Sequence, residues 1–215
     1  MVLKSVKTFM KHNASAKFYF FCNDNIIGLE KFGTVINYDP ELLKDFGIEL
    51  CGYKHVSLAC FVRFLIPKYL PNLDRVLYVD CDTLCRKSIK FFYNIDFEDN
   101  YIIGVQGIEK SKEQARELGL KFYINSGVLL FNVSLMNKEN YFQQILDTWK
   151  GCIGLPKIFS ADETIINYVF HDKIKLVSEK YNYCYQRNYG DRVLPLKDIV
   201  ILHITGRSKN NFFKF

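Results

Sequence analysis

No apolar run in this chain approaches the roughly eighteen residues that a membrane-spanning helix needs. Its start, Met1-Val2-Leu3-Lys4, has neither the basic opening nor the unbroken apolar stretch of a signal peptide. Both absences point to the cytosol. The chain also lacks a CxxC pair, which excludes a zinc ribbon, and its seven cysteines are odd in number and sit mostly in apolar segments. Reduced core thiols are therefore expected rather than a disulfide framework. Nor is there a strong charge bias. The net charge of +6, from 29 basic and 23 acidic residues, is spread along the chain. That excludes a dedicated nucleic-acid binder and suits a phosphorylated ligand or an anionic membrane surface.

What is present is 215 residues, 49% hydrophobic and 16% aromatic. That is enough for one substantial core, and a single domain over 1–215 is expected. The most informative stretch is Arg75-Val76-Leu77-Tyr78-Val79-Asp80-Cys81-Asp82-Thr83. Its apolar run reads as a buried strand of a parallel sheet ending in two carboxylates one residue apart. Ligands of open α/β sheets bind beyond the carboxyl ends of strands, and a divalent cation neutralises two acidic groups economically there. An acidic, solvated turn is the competing reading of the pair alone.

The rest of the chain alternates helix and strand. A helix is expected near 2–12, strands near 17–22 and 34–38, and a short helix near 26–31. A helix at 55–66 carries Arg63 on an apolar face and is closed by Pro67. Arg63 either snorkels to solvent or reaches a phosphate or sugar. Further expectations are a short helix at 88–93 burying two phenylalanines, a strand at 101–106, a helix at 111–119 stopped by Gly119, and one amphipathic helix over 134–149. Asn125-Ser126-Gly127 stands immediately before a buried strand, either as ordinary turn chemistry or as a small amide where the backbone approaches a ligand closely. Ser160 and Glu163 are spaced as a capping box, beside Asp162. His203 ends a last strand at 198–204, ahead of Gly206 and Lys209. A histidine there is more often structural, yet imidazole would complete a metal site and glycine with lysine would suit a diphosphate.

Taken together, Arg63, the Leu77 to Thr83 segment, Tyr123 to Leu130, Asp162 to Asn167 and His203 to Lys209 resemble glycosyltransferase family 8. These are retaining sugar-nucleotide transferases that include lipopolysaccharide galactosyl- and glucosyltransferases. The resemblance implies an α/β GT-A fold: Rossmann-like, with a mixed, mostly parallel sheet and helices on both faces. It implies a Mn2+ or Mg2+ ion on Asp80, Asp82 and His203, a UDP-hexose donor, and a saccharide or lipid-linked acceptor. Arg63, Asn125, Ser126, Gly206 and Lys209 would bind substrate, and Asp162 and Glu163 would be catalytic.

Glu163 departs from the Asp-Gln-Asp of many bacterial members. It would act either as a nucleophile on the sugar or as a stabiliser of positive charge during same-face attack. Lys209-Asn210-Asn211 replaces the usual Lys-Pro-Trp, and Gln106 stands where an acidic residue often follows the fifth strand. The family's opening strand and uridine-cradling loop are missing, so a truncated form is expected. Phe212-Phe213-Lys214-Phe215 resembles the remnant of a tail docking at the inner face of the membrane. Two rivals stand beside this reading. One is a haloacid-dehalogenase-type phosphatase, from Asp80-x-Asp82-Thr83; the other is a sugar-nucleotide-binding or interaction module without turnover.

Overall fold

A computed structural model describes residues 1–23, 28–46, 58–152, 161–185 and 194–205. Its centre is the strand β6, Ile124–Asn132, buried over most of its length. Successive side chains of a strand point to opposite faces, so a strand buried on both reads as a continuous apolar run. Leu129 and Phe131 accordingly join one apolar cluster with Phe61, Phe64, Trp149 and Ile166. Val128 and Leu130 join the other, with Phe9, Phe92 and Val200.

β6 is flanked by β3, Arg75–Val79, and by β5, Ile102–Gln106, both antiparallel to it. A fourth strand, β7, Ile174–Val177, lies parallel to β5. Two smaller sheets accompany this one among the described residues. The strands β1, Tyr19–Cys22, and β2, Thr34–Asn37, pair in parallel. A three-stranded sheet has β9, Ile201–Ile204, between β4, Thr83–Cys85, and β8, Tyr183–Tyr185. The mixed α/β architecture is the one the sequence implies. The local difference is at residues 75–79, which pair antiparallel with β6 and are half-buried rather than fully buried.

The helices are α1, Val2–His12; α2, Ile66–Tyr69; α3, Lys90–Tyr93; α4, Glu109–Glu117; α5, Val133–Lys138; α6, Tyr141–Cys152; and α7, Ala161–Val169. Several differ from the periodicity reading for identifiable reasons. Residues 58–65 form a 3-10 helix, and Pro67 lies in the first turn of α2 instead of closing a helix. Its fixed φ and missing N–H are tolerated in a first turn. The expected single helix over 134–149 is broken at Asn140, whose φ of 51° is left-handed, a conformation short polar side chains accept. Phe92 is buried, but Phe91 is 84% exposed. Gly119, at φ 69°, stops α4 as expected. Asn125-Ser126-Gly127 is not a turn ahead of the strand; it lies inside β6.

No helix among the described residues is long and apolar enough to cross a membrane. Cys22, Cys60, Cys81, Cys85 and Cys184 stand outside any disulfide. Ser160, Gly206, Lys209 and the tail at 212–215 fall outside the described residues.

Asn167 of α7 ties that helix to the start of β6. Its Oδ1 accepts the Ile124 N–H at 2.6 Å, and its Nδ2 donates to the Ile124 and Glu163 carbonyls at 2.9 and 2.8 Å. The side chain is fully buried, so truncation leaves backbone groups desolvated and unpaired. Asn167→Ala is expected to destabilise the fold by about 3 kcal/mol. Urea unfolding, read as a lower midpoint at unchanged m-value, checks this.

Candidate metal and donor site

The acidic motif sits where β3 ends and the chain turns into β4. Asp80 to Thr83 forms a tight turn, closed by the Thr83 N–H to the Asp80 carbonyl at 3.2 Å and by Thr83 Oγ1 to the same oxygen at 2.7 Å. β9 lies alongside with Thr83 opposite His203, and the Ile204 N–H donates to the Asp82 carbonyl. This register delivers the imidazole to the carboxylates. His203 Nε2 lies 3.2 Å from Asp82 Oδ1 and 3.8 Å from Asp80 Oδ2. One ligand atom from each of the three residues falls within 4.8 Å of the others.

The opposite nitrogen of His203 is held as well. Nδ1 lies 3.0 Å from Asn182 Oδ1 and 3.8 Å from Cys184 Sγ. An amide oxygen accepts only, so the bond fixes Nδ1 as the protonated nitrogen and turns Nε2 toward the cluster, the arrangement that supports a metal-ligating imidazole. Two carboxylates and an imidazole make an oxygen-rich set with one borderline nitrogen, which suits Mn2+ or Mg2+ and leaves positions for oxygens of a substrate.

Gly127 explains how the cluster packs against β6. A Cβ there would lie 2.1 Å from His203 Cε1 and 2.9 Å from Asp80 Oδ2. Only a glycine lets both ligands approach the strand.

Arg63 lies beneath the acidic pair and is 4% exposed. Its Nη2 bonds Asp80 Oδ1 at 3.2 Å, and its Nη1 lies 3.1 Å from Asp162 Oδ2 and also donates to the Ser126 carbonyl. Nε donates to the Cys60 carbonyl at 2.9 Å, and the guanidinium stacks 4.5 Å from the Tyr78 ring centroid. The Tyr78 hydroxyl donates to Asp80 Oδ1. The side chain neither snorkels nor points at open space; it organises the carboxylates.

The Glu163 carboxylate of α7 reaches across to β6. Its Oε2 accepts from Asn125 Nδ2 at 2.9 Å, the Ser126 N–H at 3.0 Å and Ser126 Oγ at 3.4 Å. Burial pushes Glu163 up to about 7, although the Ser126 N–H bond opposes the shift. Burial also raises Asp162, against the pull of Arg63.

The structure thus brings together Asp80, Asp82, His203, Arg63, Asn125, Ser126, Asp162 and Glu163. Asn182 and Cys184 were not singled out from sequence. They lie in a tyrosine-rich stretch that reads as irregular, and only the pairing of β8 with β9 reveals their place.

The chain also matches a known family. A model of glycosyl transferase family 8 matches residues 6–210. The chain belongs to glycosyltransferase family 8. The lipopolysaccharide 1,3-galactosyltransferase of Salmonella typhimurium is 29% identical over 171 residues, covering 76% of this chain and 48% of that protein. A lipopolysaccharide 1,2-glucosyltransferase of Escherichia coli is 29% identical over 234 residues, covering 95% and 67%. A putative glycosyltransferase of Haemophilus influenzae is 28% identical over 134 residues, and the match spans 40% of its length. The chain therefore spans less than half the length of several family 8 relatives.

Among solved structures, the galactosyltransferase LgtC in complex with donor and acceptor sugar analogues aligns with a TM-score of 0.76 at 18% identity, covering 96% of this chain and 83% of that one. That likeness shows the fold, which is GT-A. Family membership replaces the phosphatase reading of Asp80-x-Asp82.

The charge on His203 makes metal binding pH-dependent. Burial alone would lower this group from its ordinary 6.5, but the hydrogen bond to Asp82 and the contact with Cys184 carry it up to about 10. With the folded value raised, the stabilisation from the protonated ring is complete below 6.5 and is lost as pH rises through about 10. A metal must displace that proton, so Mn2+ affinity is expected to rise about tenfold per pH unit below the raised value. Calorimetry in buffers of different ionisation enthalpy should find about one proton released per ion.

Asn182→Ala is expected to weaken Mn2+ binding by about tenfold to a hundredfold, the effect of losing a supporting contact. Gly127→Ala should abolish binding by displacing His203. Mn2+ titration followed by electron paramagnetic resonance checks both variants.

Proposed function

We propose that the chain transfers a hexosyl group from a UDP-sugar to a saccharide hydroxyl with retention, using a divalent cation held by Asp80, Asp82 and His203. The observation that carries this reading is the three-ligand cluster, backed by Asn182 and set beside the Arg63, Asp162 and Glu163 network. The names of the family 8 relatives, lipopolysaccharide galactosyl- and glucosyltransferases, support a hexose donor and a saccharide acceptor. A lipid-linked acceptor and peripheral contact with the inner face of the membrane belong to the same proposal, as does Lys209 beside Gly206 as the partner of the diphosphate. When bound, the cation supplies positive charge against the diphosphate as its negative charge grows.

The remaining chemistry falls to this chain's own residues. The bond between the sugar's anomeric carbon and the diphosphate oxygen breaks, and its electron pair leaves with the diphosphate. The acceptor oxygen bonds the same carbon from the same face, and its proton passes to the diphosphate. Asn125, Ser126 and Asp162 orient sugar hydroxyls, where hydrogen bonds discriminate epimers.

Glu163 lies near the positive charge that develops on the sugar. Three donors already engage its Oε2, which makes it a weak nucleophile and favours a stabilising role over double displacement. Glu163→Ala is expected to slow transfer by about a hundredfold while leaving measurable turnover. Mass spectrometry of products and of the intact protein checks this. Complete loss in the variant, with a glycosyl adduct trapped on Glu163 in the unaltered chain, would establish the nucleophile instead.

The second reading, a sugar-nucleotide-binding module without turnover, is favoured by one observation: among the described residues, β3 pairs on one side only, beside the cluster. A thermal-shift titration separates the two readings from an inert fold. UDP with Mn2+ should raise the unfolding temperature more than either alone. Stabilisation without transfer to any acceptor selects the module, and no response rejects both.

A further inference from the structure

Tyr78 interrupts the aliphatic run of β3 with a phenol, and the geometry of the strand aims that phenol at the acidic cluster. Alternate side chains of a strand share a face. Val76 and Tyr78 pack in one apolar cluster, Leu77 and Val79 in the other. The ladder continues past the last residue of β3, since the Asp80 N–H donates to the Gly127 carbonyl at 2.8 Å. Asp80 therefore falls on the Tyr78 face, two residues and about 6.6 Å further along. That is within reach of a tyrosine side chain, and the Tyr78 hydroxyl donates to Asp80 Oδ1 at 2.5 Å.

The ring is fixed by its surroundings. It packs against the larger apolar cluster on one side, and the Arg63 guanidinium lies 4.5 Å from its centroid. Arg63 Nη2 also donates to Oδ1, at the longer distance of 3.2 Å. Its other nitrogens serve Asp162, the Ser126 carbonyl and the Cys60 carbonyl. The two oxygens of Asp80 are thus unlike. A carboxylate oxygen offers about two acceptor sites, and on Oδ1 Tyr78 and Arg63 take both. Oδ2 faces His203 Nε2 at 3.8 Å, too long for a hydrogen bond. It also lies 2.9 Å from where a Cβ on Gly127 would stand, in the space that glycine leaves open.

This asymmetry bears on which cation the cluster accepts. Ca2+ takes about six to eight oxygens and accepts both oxygens of one carboxylate, whereas the smaller Mg2+ demands near-octahedral geometry and fewer carboxylate oxygens. Mn2+ shares that octahedral preference. A buried hydroxyl that only satisfied its own hydrogen bond would support the site without choosing between ions.

We propose that Tyr78 is a positioning residue that sets the cation preference of the cluster: with Arg63 it occupies Asp80 Oδ1, restricts Asp80 to the single ligand oxygen Oδ2, and so disfavours Ca2+. The inference rests on the metal reading of Asp80, Asp82 and His203. Removing the hydroxyl frees the Asp80 carboxylate to turn while leaving Arg63 in place.

The test is calorimetric titration of the full chain with Mn2+ and with Ca2+ at one fixed pH, in the unaltered protein and in Tyr78→Phe. Phenylalanine keeps the ring, its packing and its contact with Arg63. The unaltered chain is expected to bind Mn2+ at least about tenfold more tightly than Ca2+. In Tyr78→Phe, Mn2+ binding should weaken by about tenfold, while Ca2+ binding holds or strengthens. The preference therefore falls by about tenfold or more.

Equal weakening of both ions would mean that the hydroxyl supports the site without selecting, and would overturn the proposal. So would a pair of affinities left unchanged. Urea unfolding without metal shows whether the variant folds; if it does not, the unaltered chain decides, because Ca2+ bound as tightly as Mn2+ overturns the proposal by itself. Binding of neither ion by the unaltered chain would reject the metal reading, and this inference with it.

Discussion

The site depends on one buried cation. Arg63 places a permanent positive charge under Asp80 and Asp162, and beside Asp162 it opposes the burial that raises that carboxyl. Its planar fork reaches both carboxylates, the Ser126 carbonyl and the Cys60 carbonyl together, which a lysine could not do. Removing one partner from such a buried set leaves an uncompensated charge, a cost of about 3–5 kcal/mol. Arg63 thus does two things at once. It pairs with Asp80 and Asp162 together, and it joins the 3-10 segment, the end of β3, the middle of β6 and the start of α7 into one polar unit.

That unit needs small residues on β6. Asn125, Ser126 and Gly127 interrupt an otherwise apolar strand, and each meets side chains from other elements. Asn125 and Ser126 donate to Glu163, and Asn125 Oδ1 accepts from Asn182 and the Gly127 N–H. Asn182 in turn holds His203. A continuous chain of hydrogen bonds therefore links Glu163 to the His203 imidazole through two asparagines. Larger or apolar side chains at these positions would break the chain or fill the approach that Gly127 leaves open. The polar interruption within a buried strand is the local departure from good packing that a binding site requires.

Much of this was legible in the residues. A hydrophobic strand ending in two aspartates, a histidine ending another strand, and the acidic pair at 162 and 163 pointed to one site, and the order of the motifs supplied the family. The elements that misread did so for physical reasons. Pro67 signals a stop in helix statistics but is equally at home in a first turn. Asn140 breaks a periodic apolar pattern through backbone conformation alone, which periodicity cannot register. Asn125-Ser126-Gly127 has turn composition, yet it is held in β6 by partners from distant parts of the chain. Asn182 carries no local signal at all, since its role comes from the register that sets Cys184 of β8 opposite His203 of β9. Residues whose work is local were readable; those recruited by pairing across the sheet were not.

The balance of charge gives the cluster its chemistry. Asp80, Asp82, Asp162 and Glu163 crowd around a single arginine and a single histidine, and the crowding shows as shifts toward the protonated form. Burial raises Asp162 and Glu163, while the hydrogen bond to Asp82 raises His203 against its own burial. Each shift is the protein's way of lowering net negative charge in a place with little water. A divalent ion accomplishes the same end more completely. Held by Asp80, Asp82 and His203, such an ion would bring two positive charges where one proton leaves His203. The site is therefore held in a protonated form that a metal can displace, with His203 already oriented by Asn182 so that ligation requires loss of a proton rather than rearrangement of the fold.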